Sequence, residues 1–185
     1  VAAKSVRSMS EELVIKRIDN MTEEYFSVLD IREVTLCLKE IPVEYHPKAI
    51  ESFANKVIEK KQKDVDNVMK LFKEIVSSKT CDTDIFKDGF KATLEFLIDI
   101  GADAPMAYSF TGQLLFSADL DFRDITKLLK PLDDDRAVEK IVKGYTSALK
   151  NGVDEQTYVQ KINEQKKSKD DINKYIEDLG GSSKK

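Results

Sequence analysis

Asp30-Ile31-Arg32-Glu33-Val34-Thr35-Leu36-Cys37-Leu38-Lys39-Glu40-Ile41-Pro42 reads as a single amphipathic helix with both ends marked. Asp30 takes the N-cap position with Glu33 three residues on, the spacing of a capping box. Ile31, Val34, Leu38 and Ile41 recur at steps of three or four, which places them on one helix face. Pro42 stops the run, because proline lacks a backbone donor and restricts the residue before it. Just upstream, Val14, Ile18, Met21, Tyr25 and Val28 make a second stripe of the same period. Two helices joined by a turn this short must lie antiparallel, so the stretch specifies a helical hairpin.

The same pattern continues along the chain. Pro47 suits the first turn of a third helix with Ile50, Phe53, Val57 and Ile58 inward. Asp64 is expected to cap a fourth, whose face is Val65, Val68, Phe72 and Ile75. Asp82 or Thr83 opens a helix carrying Phe86, Phe90, Leu94 and Leu97, expected to stop near Gly101. Pro105 opens the next, which buries Phe110, Leu114 and Leu115. Phe122, Ile125 and Leu129 form a short helix before Pro131, and Val138, Ile141, Val142, Tyr145 and Leu149 form another, ended by Gly152. The remainder, with Tyr158, Ile162, Ile172 and Ile176, is thinner in apolar residues and reads as one or two weakly docked helices. Helices pair over about 10–41, 47–79 and 84–118, a spacing of roughly 35 to 40 residues that is the period of stacked helical hairpins. The fold class is all-α: stacked antiparallel helical hairpins of HEAT-like repeat type, an α-α superhelix.

Composition narrows the chemistry. The chain has 185 residues, 41% of them apolar, and four prolines, which is enough for a sizeable core. No apolar run approaches the ~18 residues of a membrane span. No signal peptide is visible, and Val1 in place of methionine is expected of a piece excised from a longer chain. Cys37 and Cys81 are the two cysteines; Cys37 falls within an amphipathic pattern, as expected of a buried reduced thiol, which points to a reducing cytoplasm or nucleus. The single histidine, His46, has no cysteine or carboxylate at metal-ligand spacing and is expected as a loop or cap residue. No phosphate-cradling glycine loop or nucleophilic triad is present, so no enzyme activity, cofactor or metal is expected.

Charge is distributed unevenly. The net charge is −4, and from Asp82 to Asp121 eight acidic residues face two lysines, so that segment carries −6 and the rest +2. Such asymmetry suits a basic partner surface, against the plainer reading of a solvated acidic face. Within it lies Asp99-Ile100-Gly101-Ala102-Asp103-Ala104-Pro105, two carboxylates with no basic neighbour where one helical pattern gives way to the next. Asp103 is expected to lie one or two residues before the following helix, where it could cap backbone amides. Asp99 has no such local duty, because an acid near a helix C-terminus faces the negative end of the dipole. Lys60-Lys61-Gln62-Lys63 and Lys166-Lys167-Ser168-Lys169 lack interleaved aromatics, so solubilised helix ends and weak nucleic-acid backbone contact both remain open.

These residues carry a family resemblance. Thr22 to Ile41, with Glu23-Glu24-Tyr25-Phe26 leading into Leu29-Asp30-Ile31-Arg32-Glu33 and Leu36-Cys37-Leu38-Lys39-Glu40, resembles the opening hairpin of an MA-3 domain. Asp99 to Pro105 resembles that family's acidic turn, a carboxylate, three residues, then Asp-x-Pro. Phe122 to Leu132 is similar to the stretch that follows the MA-3 core in the initiation factor 4G scaffolds, so the resemblance spans about residues 11 to 132. It implies a non-catalytic stack of HEAT-like hairpins, without cofactors, in a cytoplasmic translation initiation scaffold. The partner it implies is the DEAD-box RNA helicase initiation factor 4A, with other initiation factors reached through the rest of the parent chain and direct RNA binding weak or absent. The family's two acidic positions, which contact basic residues of the helicase, fall here on Asp99 and Asp103, with Pro105 fixing the helix start beside them. Gly101-Ala102 is smaller than the family's usual apolar filler, which predicts a looser turn. An inhibitory relative similar to programmed cell death protein 4, an RNA-binding helical repeat and a structural helical repeat with a different partner are the alternatives. Domain organisation is expected as an MA-3-like core over 10–132, further C-terminal helices over 133–179 that pack on the core or link to another domain, and a flexible tail over 180–185.

Overall fold

The computed structural model of the chain describes residues 9–180, and all regular structure among them is helical. The helices are α1 (Glu11–Val28), α2 (Ile31–Glu40), α3 (His46–Val57), α4 (Gln62–Ser77), α5 (Thr83–Asp103), α6 (Ala107–Ser117), α7 (Phe122–Leu129), α8 (Asp135–Gly152) and α9 (Glu155–Lys166). Short 3₁₀ turns occupy Val43–Tyr45 and Asp171–Tyr175. Helices α1, α3, α5 and α7 stack side by side in one layer, and α2, α4, α6 and α8 in the other. The three hairpins read from the sequence are α1/α2, α3/α4 and α5/α6, and α7/α8 continues them as a fourth. The tail expected at 180–185 lies outside the described residues except for Gly180.

Local chemistry sets most boundaries. Asp30 accepts hydrogen bonds from the Arg32 and Glu33 amides at the start of α2, and Asp82, Asp121, Asp134 and Asp154 cap α5, α7, α8 and α9 in the same way. Asp64 is different. It sits in the first turn of α4, where its carboxylate accepts from the Lys61 amide at 3.3 Å, so the helix begins at Gln62 and its N-cap, Lys61, lies three residues before the expected one.

The core is a file of aromatic rings running along the stack. Tyr25 meets Phe53 at 5.8 Å, Phe53 meets Phe72 at 6.4 Å, and Phe72 meets Phe86 and Phe90 at 5.0 and 6.1 Å, all edge-on. Edge-to-face contacts of this kind add about 0.5–1.5 kcal/mol each beyond burial. A second file, Phe116–Tyr145–Phe122, ties α6, α8 and α7, and the Tyr145 hydroxyl donates to the Leu120 carbonyl at 2.6 Å. Tyr158, Ile162, Ile172 and Ile176 are all buried, so the sparse apolar residues of the C-terminal segment are fully used in packing.

Helices α6 and α8 approach backbone to backbone. A Cβ on Gly112 would lie 2.0 Å from the Ile141 carbonyl oxygen, and one on Gly144 would lie 2.2 Å from the Ser109 carbonyl oxygen. Only glycine permits that approach.

Three sequence expectations are corrected here. Val28 is exposed although it continues the stripe: it is the last residue of α1, and the left-handed Leu29 that follows ends the helix there. Cys37 is half-buried rather than buried, with the Arg17 guanidinium 3.8 Å from its sulfur. His46 is a buried residue at the start of α3, neither a loop histidine nor a cap. Its Nε2 lies 2.7 Å from the Leu38 carbonyl oxygen and its Nδ1 lies 3.7 Å from Cys81 Sγ. With Nε2–H donating to the carbonyl, Nδ1 is left to accept the thiol proton. Burial, with help from Asp82, pushes the Cys81 thiol up to about 12, which keeps it protonated for that role.

Candidate functional site

Helix α5 runs through Gly101 and ends at Asp103, two residues later than the sequence predicts. The reason is Tyr108. A Cβ on Gly101 would lie 2.2 Å from the Tyr108 ring, so glycine makes room for that ring on the helix instead of ending it. The Tyr108 hydroxyl reaches the Ile98 carbonyl at 3.5 Å, and Lys140 of α8 lies over the ring at 5.5 Å. The α5–α6 junction is therefore clamped by a buried aromatic from α6, and is tighter than the small residues Gly101 and Ala102 suggest.

Asp99 and Asp103 both lie on α5, four residues apart at its C-terminal end, and both are exposed. Asp103 does not cap the next helix. The residue preceding α6 is Met106, which makes no side-chain cap, and Pro105 sits one residue before it in the tight turn closed by the Ala107 amide on the Ala104 carbonyl. Both carboxylates face the negative end of the helix dipole, with no basic residue in the last turn. They also repel each other at i, i+4 spacing. Among the described residues, no lysine or arginine lies within ion-pair distance of either.

Two apolar side chains that the sequence reading passed over flank them. Phe96 is 56% exposed and Met106 is 54% exposed. Phe96, Asp99 and Asp103 follow steps of three and four along one face of α5. The signal was present: Phe96 lies off the Phe86–Phe90–Leu94–Leu97 stripe, so helical period alone sends it outward. Chemically the junction offers two uncompensated anions between two exposed apolar groups, on a helix end packed against Tyr108. That arrangement suits a basic surface carrying an apolar contact of its own. The described residues contain no group of three histidine, cysteine or carboxylate side chains placed to hold a metal ion, and no helix among them is long and apolar enough to cross a membrane.

The sequence profile of the MA3 domain matches residues 14–118, more than half of the chain. The chain belongs to the MA3 domain family. The matched region runs from α1 to the end of α6, and α7 and α8 extend the same two layers beyond it. The MA3 chain is similar to eukaryotic translation initiation factor 4G of Arabidopsis thaliana, 31% identical over 111 residues, 58% of this chain and 6% of that protein. It is also similar to a von Willebrand factor A domain-containing protein of Dictyostelium discoideum, 26% identical over 134 residues, 69% of this chain and 6% of that protein. The chain thus spans a small fraction of the length of each relative.

Proposed function

We propose that this MA3 domain is a non-catalytic protein-binding module of a translation initiation scaffold, and that it docks the DEAD-box RNA helicase initiation factor 4A and modulates its activity in the cytoplasm. Asp99 and Asp103 are the contact residues, and Pro105 shapes the turn beside them. The observation that carries the reading is the pair of exposed carboxylates at the wrong end of the α5 dipole, without a cation to balance them among the described residues. Arginine or lysine on the helicase would supply that balance. Truncating one side of such a desolvated charge pair costs about 2–5 kcal/mol.

The RNA-binding alternative loses support from the lysine clusters themselves. Lys60 lies 4.9 Å over the Phe26 ring, and Lys166 donates to the Leu179 carbonyl, so a lysine of each cluster is engaged in packing.

The test is calorimetric titration of the helicase with the wild-type domain and with the Asp99→Ala/Asp103→Ala variant. Wild-type binding that weakens at least about 30-fold in the variant, with helicity unchanged, is the expected result. Binding unaffected by the two substitutions, or absent in the folded wild type, refutes the assignment. The sign of the effect on helicase turnover then separates a supporting scaffold from an inhibitor.

A further inference from the structure

A second surface lies two hairpins away from Asp99 and Asp103, on the outer side of α1 and α2. Every internal hairpin has helices packed on both sides of it, whereas among the described residues nothing covers this side of the first. A groove of about 350 Å³ runs between the two helices there. Met21, Tyr25 and Val34 form its floor. Val28, 59% exposed, and Leu36, 52% exposed, stand at its lips and are more exposed than any structural role in the hairpin requires.

The charge at the rim is one-sided. Arg17 is matched by Glu40 at 2.5 Å. That leaves Glu24, Asp30 and Glu33 lining the same groove, with no lysine or arginine in ion-pair distance among the described residues. From Arg17 to Val28 the groove follows twelve residues of α1 at ~1.5 Å per residue, about three helical turns. On its other side the α1/α2 hairpin receives α3 and α4, so a helix is the shape this repeat already accepts between its ridges.

We infer that the outer groove of the α1/α2 hairpin binds an amphipathic basic helix of a partner protein, its apolar face on Val28, Leu36 and the Met21–Tyr25–Val34 floor and its lysines or arginines against Glu24 and Glu33. The site extends the stack by one helix. It goes beyond the helicase-docking proposal and stands or falls apart from it.

The probe is a fluorescein-labelled synthetic helix of about 14 residues, with leucines three and four apart and lysines between them. A peptide of identical composition in scrambled order has the same charge without the apolar face. Fluorescence anisotropy is read with the wild-type chain, Val28→Arg/Leu36→Arg, Glu24→Gln/Glu33→Gln and Asp99→Ala/Asp103→Ala. All substituted side chains are exposed, and circular dichroism checks the fold of each variant. The expected result is binding of the amphipathic peptide by the wild type, weakened at least about tenfold by scrambling and by Val28→Arg/Leu36→Arg. Binding is also weaker and less salt-sensitive in Glu24→Gln/Glu33→Gln, and unchanged in Asp99→Ala/Asp103→Ala. No wild-type binding, equal binding of the scrambled peptide, or insensitivity to Val28→Arg/Leu36→Arg overturns the inference. So does self-association of the wild-type chain in sedimentation that the same variant abolishes, because the occupant is then a second copy.

Discussion

Replacing Gly112 by alanine tests the glycine with the least room for a side chain among the described residues. The added Cβ would lie 2.0 Å from the Ile141 carbonyl oxygen and 2.6 Å from the Tyr145 amide nitrogen, where ordinary contact begins at 3.4 Å. Relieving the closer contact means parting α6 and α8 by about 1.4 Å, since the obstacle is helical backbone that cannot rotate away. A gap of that size forfeits a quarter to a half, or more, of the dispersion attraction across the seam. Overpacking of this kind costs ~1–3 kcal/mol, and the rigid neighbour argues for the upper end. Alanine returns ~1 kcal/mol through helix propensity. The net expectation is a loss of about 2 kcal/mol, read as a melting temperature about 4–8 °C lower for a chain of this size. Urea unfolding followed by circular dichroism should show a lower midpoint with an unchanged slope. Gly144→Ala meets the Ser109 carbonyl oxygen at 2.2 Å and should behave alike. Because one separation relieves both clashes, the double variant should lose less than the sum. A midpoint for Gly112→Ala equal to or above that of the wild type would refute the reasoning.

Gly101→Val drives a branched side chain into the space of the Tyr108 ring, 2.2 Å from the nearest possible Cβ, so the clamp on the α5–α6 junction should open. Helicase affinity should fall in this variant although Asp99 and Asp103 are intact; unchanged affinity in calorimetry would show that the clamp does not position them. Asp124 gives a pH signature: burial favours its neutral form, but Lys87 at 2.9 Å and the Asp121 amide outweigh that and hold its carboxyl below the usual carboxylate range. A depressed folded value means the stabilisation is present above the unfolded value near ~3.9 and is lost as pH falls through the folded one. Asp124→Asn should therefore cost about 1 kcal/mol at neutral pH and progressively less in acid, and a difference that stays constant from pH ~6 to ~2 in urea unfolding would refute the linkage.

Much of the candidate site was legible in the chain because its features are local. Asp99 and Asp103 lie four residues apart on α5, in a segment with no neighbouring base, and helical period alone turns Phe96 outward. What they lack is a partner from elsewhere in the described residues, and that is a property of the folded surface. The role of Gly101 was misread because a glycine near the end of a helical pattern commonly marks a C-cap. Here the deciding atom belongs to Tyr108, on the next helix.

The sequence by itself determined the helices, the caps at Asp30 and Asp82, and the pairing of helices into hairpins. Each depends on interactions within a few residues: a carboxylate on an amide two or three positions on, or a stripe at helical period. It also determined the family. Only the tertiary structure decided how closely the hairpins stack. The seam between Gly112 and Ile141, the Tyr108 clamp on Gly101 and the link from Leu38 through His46 to Cys81 join residues 7 to 35 positions apart. Such contacts depend on the distance and angle between helices, which the packing of all the side chains sets together and no local pattern encodes.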